Sequence, residues 1–368
     1  MGAEQDASSA TGRRWPAEWA PQTAVQLTWP HAETDWAPRL AWVEPVFAAI
    51  GAEVLRRQSL LVVAKDADVS VRASAAIAQA CRQRGVPDDS LQRLVIALAP
   101  SDDTWARDHA ALTVLVDGEP LLLDFRFNGW GGKFPAERDD AITRRLVEQR
   151  VLRAPRENVD LVLEGGSIES DGLGTVLTTE HCLCTPTRNP DLDRDAIEVQ
   201  LKSRFGADRV LWLHSGVLDG DDTDGHVDTL VRFIAPDAIA HVVADEPHPA
   251  AKMLAALRDE LSALRDRKGQ PYRRVELPLP APMFDEDGHP LPATHANFLF
   301  INGAVLLPVY GDAQADAMAI ERLGAALPDH EIVPIDCREI VRQGGSLHCL
   351  TMQFPTPLQV VEPAQTMV

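Results

Sequence analysis

The sequence predicts an α/β fold in which strands outnumber helices. Short apolar runs alternate with amphipathic stretches, and the runs often come two or three to each helix. Simple βαβ winding gives one strand per helix, so a standard doubly wound sheet fits this order poorly. No Pro/Ser-rich linker divides the 368 residues, a length that can bury a large core. Residues 13–368 are therefore read as a single domain. Residues 1–12, MGAEQDASSATG, are small and polar and read as a frayed tail without a secretory signal. The opening Met-Gly does not make a myristoylation site, because the sixth residue is Asp6.

The elements follow in chain order. Residues 24–29 open a strand, and 38–57 carry a helical period that Pro45 is expected to break. SLLVVA (59–64) reads as a buried strand, and ADVSVRASAAIAQACRQRG as a helix closed at Gly85. LQRLVIAL, ALTVLV, PLLLDFRF, VDLVLEGG, GTVLTTEHCLC, DRVLWLH, DTLVRFIAP, AIAHVVA, NFLFINGAVLLPVY and HEIVPIDC are further strand candidates. DRDAIEVQLKSRFG and PAAKMLAALRDELSALRDRKG are helices between them. The Pro-rich stretch 278–292 is interrupted by a Phe-Asp-Glu-Asp-Gly turn and reads as a surface excursion.

Composition narrows the class. Hydrophobic residues at 45% and charged residues at 24% suit a soluble globular protein. No apolar run approaches the roughly 18 residues of a membrane span. A net charge of −20 disfavours nucleic acid and anionic membranes and favours cationic ligands, although an acidic solvated surface gives the same number. The cysteines at 81, 182, 184, 337 and 349 are odd in count, which argues for a reducing, cytoplasmic compartment. His181-Cys182-Leu183-Cys184 is the one tight Cys/His cluster and has no answering pair, so no metal is expected.

Chemistry concentrates in DDTWARDHAALTV (102–114), LDFRFNGWGGKF (123–134), LEGGSIESDG (163–172), LDGDDTDGHVDTLVRF (218–233) and GGSLHCLTMQF (344–354). GDDTDGHVD fails as a calcium loop: with Gly225 sixth, Gly220 falls first and Val231 twelfth. FNGWGGKF lacks dinucleotide-site spacing. His226 and Asp228 are read on one strand face without a third metal ligand. Cys349 reads either as core filler or as a nucleophile, and a nucleophile needs partners. His226 can serve as acid and base, and Glu164 can orient it. Carboxylates such as Asp108 and Asp228 would raise the thiol pKa unless a cation lay between them. A guanidinium substrate supplies that cation and suits bidentate carboxylates. His348 is set aside, because neighbours on a strand point to opposite faces.

WARDHAALTV, LEGGSIESDG, GDDTDGHVDT and GGSLHCLTMQ, in this order, resemble the agmatine deiminase family. That family stands in the guanidine-modifying superfamily beside the bacterial peptidylarginine deiminases. The opening WPAEWAPQTAVQLTWPHAETDW looks like the family's as well, so the resemblance spans about residues 15–355. It implies a pentein fold, a five-bladed pseudo-symmetric α/β propeller with a central active site. It further implies that Asp108 and Asp228 bind guanidinium nitrogens and that Cys349 attacks the carbon. His226 would protonate departing ammonia and then activate water, with Glu164 holding it. No cofactor is implied. The reaction would be agmatine to N-carbamoylputrescine, a step in putrescine formation, and a homodimer is expected on resemblance alone.

Departures fall near the substrate tail. The family often reads RDTGP or RDHGP where this chain has Arg107-Asp108-His109-Ala110-Ala111. Asp222 stands where Glu is common, and Ser346-Leu347 replace Asn-Ile of GGGNIHCIT. An ammonium tail wants carboxylates or aromatics, so Asp222, Trp105 and Trp130 are the tail candidates, with Gly345 also assigned to substrate binding. Two alternatives stay open: deimination of free or peptidyl arginine, which an Arg such as Arg107 at the mouth would favour, and non-catalytic binding of guanidino or polyamine cations.

Overall fold

A computed structural model describes residues 12–363; apart from Gly12, the expected N-terminal tail lies outside the described residues. The fold is mixed α/β, and strand pairing resolves the described residues into five sheets of three or four strands plus two short antiparallel pairs. Gln22–Thr28 pairs antiparallel with Thr351–Pro355 and parallel with Ser59–Ala64, which pairs parallel with Leu94–Leu98. Helix Leu40–Arg57 makes the first parallel crossover and Ala67–Gln83 the second. The buried SLLVVA run is what a strand covered on both faces requires.

The other four sheets repeat the same step: a short antiparallel pair, then a helix, then a parallel strand. Leu112–Val116 and Glu119–Arg126 are followed by Arg156–Val162, and Ile168–Ser170 and Thr175–Thr179 by Arg209–Leu213. Val231–Ala235 and Ala238–Val243 precede Arg273–Pro278, and Leu299–Ile301 and Ala304–Val309 precede Glu331–Asp336. Tight turns set the antiparallel registers; Asp117 and Gly118 adopt φ of 51° and 90°, the left-handed pair that a two-residue hairpin needs. The crossover helices are Ile142–Glu148, Arg194–Phe205, Ala251–Ala263 and Ala313–Ala326. Gly206 closes the second of these at φ 64°.

Several sequence expectations shift locally. Pro45 does not break its helix, which runs from Leu40 to Arg57 and forfeits only the hydrogen bond that proline lacks. GTVLTTEHCLC ends as a strand at Thr179, whose hydroxyl accepts from Cys182 N and starts the helical turn Glu180–Leu183. His226 and Asp228 do not share a strand face: Val227–Thr229 is a 3₁₀ turn. Residues 347–350 form a turn ahead of Thr351–Pro355, so the strand alternation used to set His348 aside does not apply there. Among the described residues no helix is long and apolar enough to cross a membrane.

One buried charge cluster ties distant segments together. Arg232, fully buried, donates to Glu18 Oε2 at 2.9 Å, to Glu169 and to the Phe298 carbonyl, and lies over the Phe298 ring. Burial works against the Glu18 carboxylate, yet Arg232, His348 and Arg107 outweigh it and hold its pKa far below the ordinary value. Arg232→Met leaves Glu18 and Glu169 buried without this partner. It is expected to lower stability by about 3–5 kcal/mol. A denaturant midpoint matching wild type would contradict that role.

Candidate active site

The turn before the first antiparallel strand of each sheet carries one or two polar side chains, and these five turns converge. Asp108 lies in the helical turn Ala106–His109 ahead of Leu112–Val116, and Glu164 caps Gly165–Ser167 ahead of Ile168–Ser170. His226 and Asp228 precede Val231–Ala235, Asn297 precedes Leu299–Ile301, and Cys349 precedes Thr351–Pro355. Asp108 and Cys349 line a cavity of about 260 Å³.

Distances bring all five predicted reacting residues together. His226 Nδ1 is 3.7 Å from Asp108 Oδ1, and its Nε2 is 3.9 Å from Glu164 Oε2. Cys349 Sγ lies 3.9 Å from Asp228 Oδ2 and 3.3 Å from Asn297 Nδ2. Asp108 accepts from Trp130 Nε1 and from Gly166 N, each at 3.0 Å. Gly166 must be glycine: a Cβ there would stand 2.6 Å from His226 Nδ1 and 3.0 Å from carboxylate oxygens of both Asp108 and Asp228.

Three residues that the sequence reading missed fix this arrangement. Arg188, fully buried, donates from Nε to both Glu164 oxygens at 2.9 Å, and from Nη1 to Asp224 at 2.7 Å. Asn297 Oδ1 accepts from His348 N at 2.9 Å and from Cys349 N at 3.3 Å. Cys182 Sγ falls within 4.8 Å of ligand-type atoms of Glu164 and His226. Arg188 already supplies a cation to that Glu164. His348 returns in a different role: its Nδ1 is 2.7 Å from Asp228 Oδ2 and its Nε2 is 2.7 Å from Glu18 Oε2. It anchors Asp228 rather than pairing with the neighbouring thiol.

The electrostatics follow from burial and charge. Burial, Asp228 and Asp108 push the Cys349 thiol well above its ordinary value. Burial opposes a charged His226, but Asp108, Cys182 and Glu164 outweigh it and hold the ring well above its usual pKa. Burial raises Asp108 to about 6, with Asp228 and Glu164 adding to the rise and His226 opposing it. Burial also opposes ionised Glu164 and Asp228, yet His226 with Arg188 in one case and His348 in the other hold them below the ordinary range. Both His226 nitrogens and Asp228 Oδ1 are buried without a hydrogen-bond partner among the described residues. Buried polar atoms are usually paired, so these three are open to a ligand.

The tail candidates also line the cavity. Trp105, Trp130, Asp222 and Gly345 are all in its wall, with Asp35, Asp103 and Asp285. Trp105 Nε1 donates to Asp103 Oδ2 at 3.0 Å, and a Cβ on Gly345 would stand 2.2 Å from the Trp105 ring. Trp130 adopts φ 54°, a strained conformation for a bulky residue, while holding Asp108. Burial raises Asp103 to about 7. Arg107 is not at the mouth; it is 3% exposed and turned toward Glu18 and Met352. The cation in the cavity wall is Arg342.

Residues 14–355 match the family described as Porphyromonas-type peptidyl-arginine deiminase. The chain belongs to this family. Within reach of it, the agmatine deiminase of Pseudomonas putida is 35% identical over 376 residues, covering 95% of this chain and 97% of that one. A solved Porphyromonas gingivalis structure, described as a candidate arginine deiminase, is 46% identical with TM-score 0.85, covering 94% of this chain and 99% of that one. The C. jejuni agmatine deiminase with substrate bound is 34% identical with TM-score 0.83, covering 93% and 96%.

Gly166→Ala places a methyl group between the carboxylates and His226. In this peptidyl-arginine deiminase-type site it is expected to lower kcat/KM for a guanidino substrate about 10²-fold and, by crowding buried groups, to lower the thermal midpoint of a protein that still folds. Wild-type kinetics in a folded Gly166→Ala protein would contradict this geometry.

Proposed function

We propose that this chain is an agmatine deiminase, hydrolysing agmatine to N-carbamoylputrescine and ammonia. One observation carries the reading: Asp108 and Asp228 flank a buried thiol, and Asp228 Oδ1 has no partner among the described residues. A planar, permanently charged guanidinium satisfies both carboxylates and brings its carbon to Cys349 Sγ.

The bound cation favours ionisation of Cys349, whose proton passes to solvent, and the thiolate adds to the guanidinium carbon to give a neutral tetrahedral adduct. His226, charged in the free site, gives its proton to one nitrogen; the C–N bond breaks and ammonia departs, leaving a thiouronium cation on Cys349. Neutral His226 takes a proton from water as the oxygen adds to that carbon. Collapse breaks the C–S bond, and the proton shed by the protonated ureido product restores the Cys349 thiol as the neutral product leaves. Glu164, held by Arg188, keeps the His226 ring in place.

The cavity wall supports a cationic tail. Asp35, Asp103, Asp222 and Asp285 face it alongside Trp105, and the Asp222 carboxylate, raised above its ordinary value mainly by burial and by Asp221, lies against Gly344. In this reading the five sheets are the blades of a pentein propeller, the chain from residue 13 onward is one catalytic domain, and the enzyme works as a cytoplasmic homodimer. Arginine is the second reading, favoured by Arg342 in the same wall.

Ammonia release from agmatine, arginine and a peptidyl-arginine substrate ranks these readings, with agmatine expected to be turned over fastest. Cys349→Ser is expected to abolish turnover while agmatine still binds in calorimetry; retained turnover removes Cys349 from the mechanism. Asp108 binds guanidinium only when ionised. Because its pKa is raised to about 6, kcat/KM is expected to fall as pH drops through that value. A profile flat from neutral pH to well below that value would be inconsistent with this role for Asp108.

A further inference from the structure

The cavity mouth contains an ion pair whose arrangement bears on substrate choice. Arg342 is the one cation among the described residues lining the cavity, against five aspartates. It lies in the 3₁₀ turn Val341–Gln343, just ahead of Gly344 and Gly345. Its Nη1 donates to Glu286 Oε1 at 2.8 Å. Glu286 sits at the tip of the hairpin formed by Met283–Phe284 and Pro290–Leu291, whose Asp285, Pro290 and Leu291 form part of the cavity wall.

The neighbouring charges leave Arg342 dependent on that partner. Glu339 is 3.6 Å from Arg342 Nε, but Arg39 holds the same Glu339 oxygen from Nε at 3.0 Å and Nη2 at 2.7 Å. Arg39 Nη1 also reaches Glu286 Oε1, at 3.3 Å. Arg342 Nε itself is buried without a hydrogen bond among the described residues. A guanidinium at the mouth of a guanidine-binding cavity would otherwise be a ready receptor for the α-carboxylate of arginine.

We propose that Glu286 is a specificity-determining residue: it occupies Arg342 with a carboxylate from the protein itself and so disfavours arginine relative to agmatine. The inference rests on the deiminase reading above and adds the device that separates its two substrates. Arginine must displace Glu286 to use Arg342, whereas the ammonium of agmatine gains from the surrounding aspartates without touching the pair. Discrimination here comes from a competitor for the wrong substrate's anchor.

The test is kcat/KM for agmatine and for arginine in wild type, Glu286→Gln, Arg342→Gln and the double variant. Glu286→Gln is expected to raise the arginine-to-agmatine ratio about three- to fivefold, the scale of a partly exposed ion pair, through a lower KM for arginine. The gain should vanish in the double variant, because Arg342 is then gone. An unchanged ratio in Glu286→Gln, or the same gain without Arg342, overturns the proposal while leaving agmatine deimination intact. Wild-type protein that turns over arginine in preference to agmatine, or neither, overturns both.

Discussion

The site depends on an unfavourable proximity: a buried thiol stands beside Asp228, with Asp108 and Glu164 around the same centre. Left alone, these charges oppose the thiolate and one another. Their effect on Cys349 and Asp108 has the same sign, since burial and neighbouring carboxylates raise both. In the proposed mechanism the free site thus keeps the thiol of its nucleophile favoured over the thiolate and favours the charged form of its general acid. On that reading, chemistry waits for a cation of the right shape, which turns charge repulsion into substrate recognition.

Such a site would not hold without compensation behind it. Arg188 neutralises Glu164, and His348 couples Asp228 to Glu18, which Arg232 holds in turn. These partners depress the Glu18, Glu164 and Asp228 pKa values, so the stability they contribute is present above the unfolded carboxylate range and is lost as pH falls through their folded values. Asp108 runs the other way. Its folded value near 6 means its stabilising contribution is full below the unfolded value and is lost as pH rises through about 6. Asp108 receives only neutral donors, from Trp130 and Gly166, apart from His226. The group left least compensated is the one that the proposed mechanism sets against the guanidinium.

Much of this was legible in the chain because reactive side chains sit in polar turns after apolar runs, glycine-flanked at Glu164, His226 and Cys349. Asp108, Glu164, His226, Asp228 and Cys349 could each be picked out, and the structure gathers them. The alternation of strand and helix was legible too, as was the excess of strands. Other features carry no local signal. Arg188 stands in a plain loop, and Asn297 looks like the start of an apolar strand. Their roles arise from sheets far apart in sequence. His348 was set aside as a thiol partner on a strand periodicity that a turn does not have, so its hold on Asp228 was missed; Pro45 was misjudged because its helix tolerates one missing hydrogen bond. The fivefold strand-pairing step is likewise a matter of topology, repeated without repeated residues.

In the proposed mechanism bound guanidinium, rather than the protein's own charges, makes Cys349 reactive. A direct test is the ultraviolet thiolate titration of wild type, corrected with Cys349→Ser, in the absence and presence of free guanidinium ion. Without the cation, the Cys349 midpoint should lie well above that of an ordinary cysteine, and saturating guanidinium should move it down. A thiolate already formed at neutral pH in the free protein, or a midpoint that guanidinium leaves in place, would contradict the account.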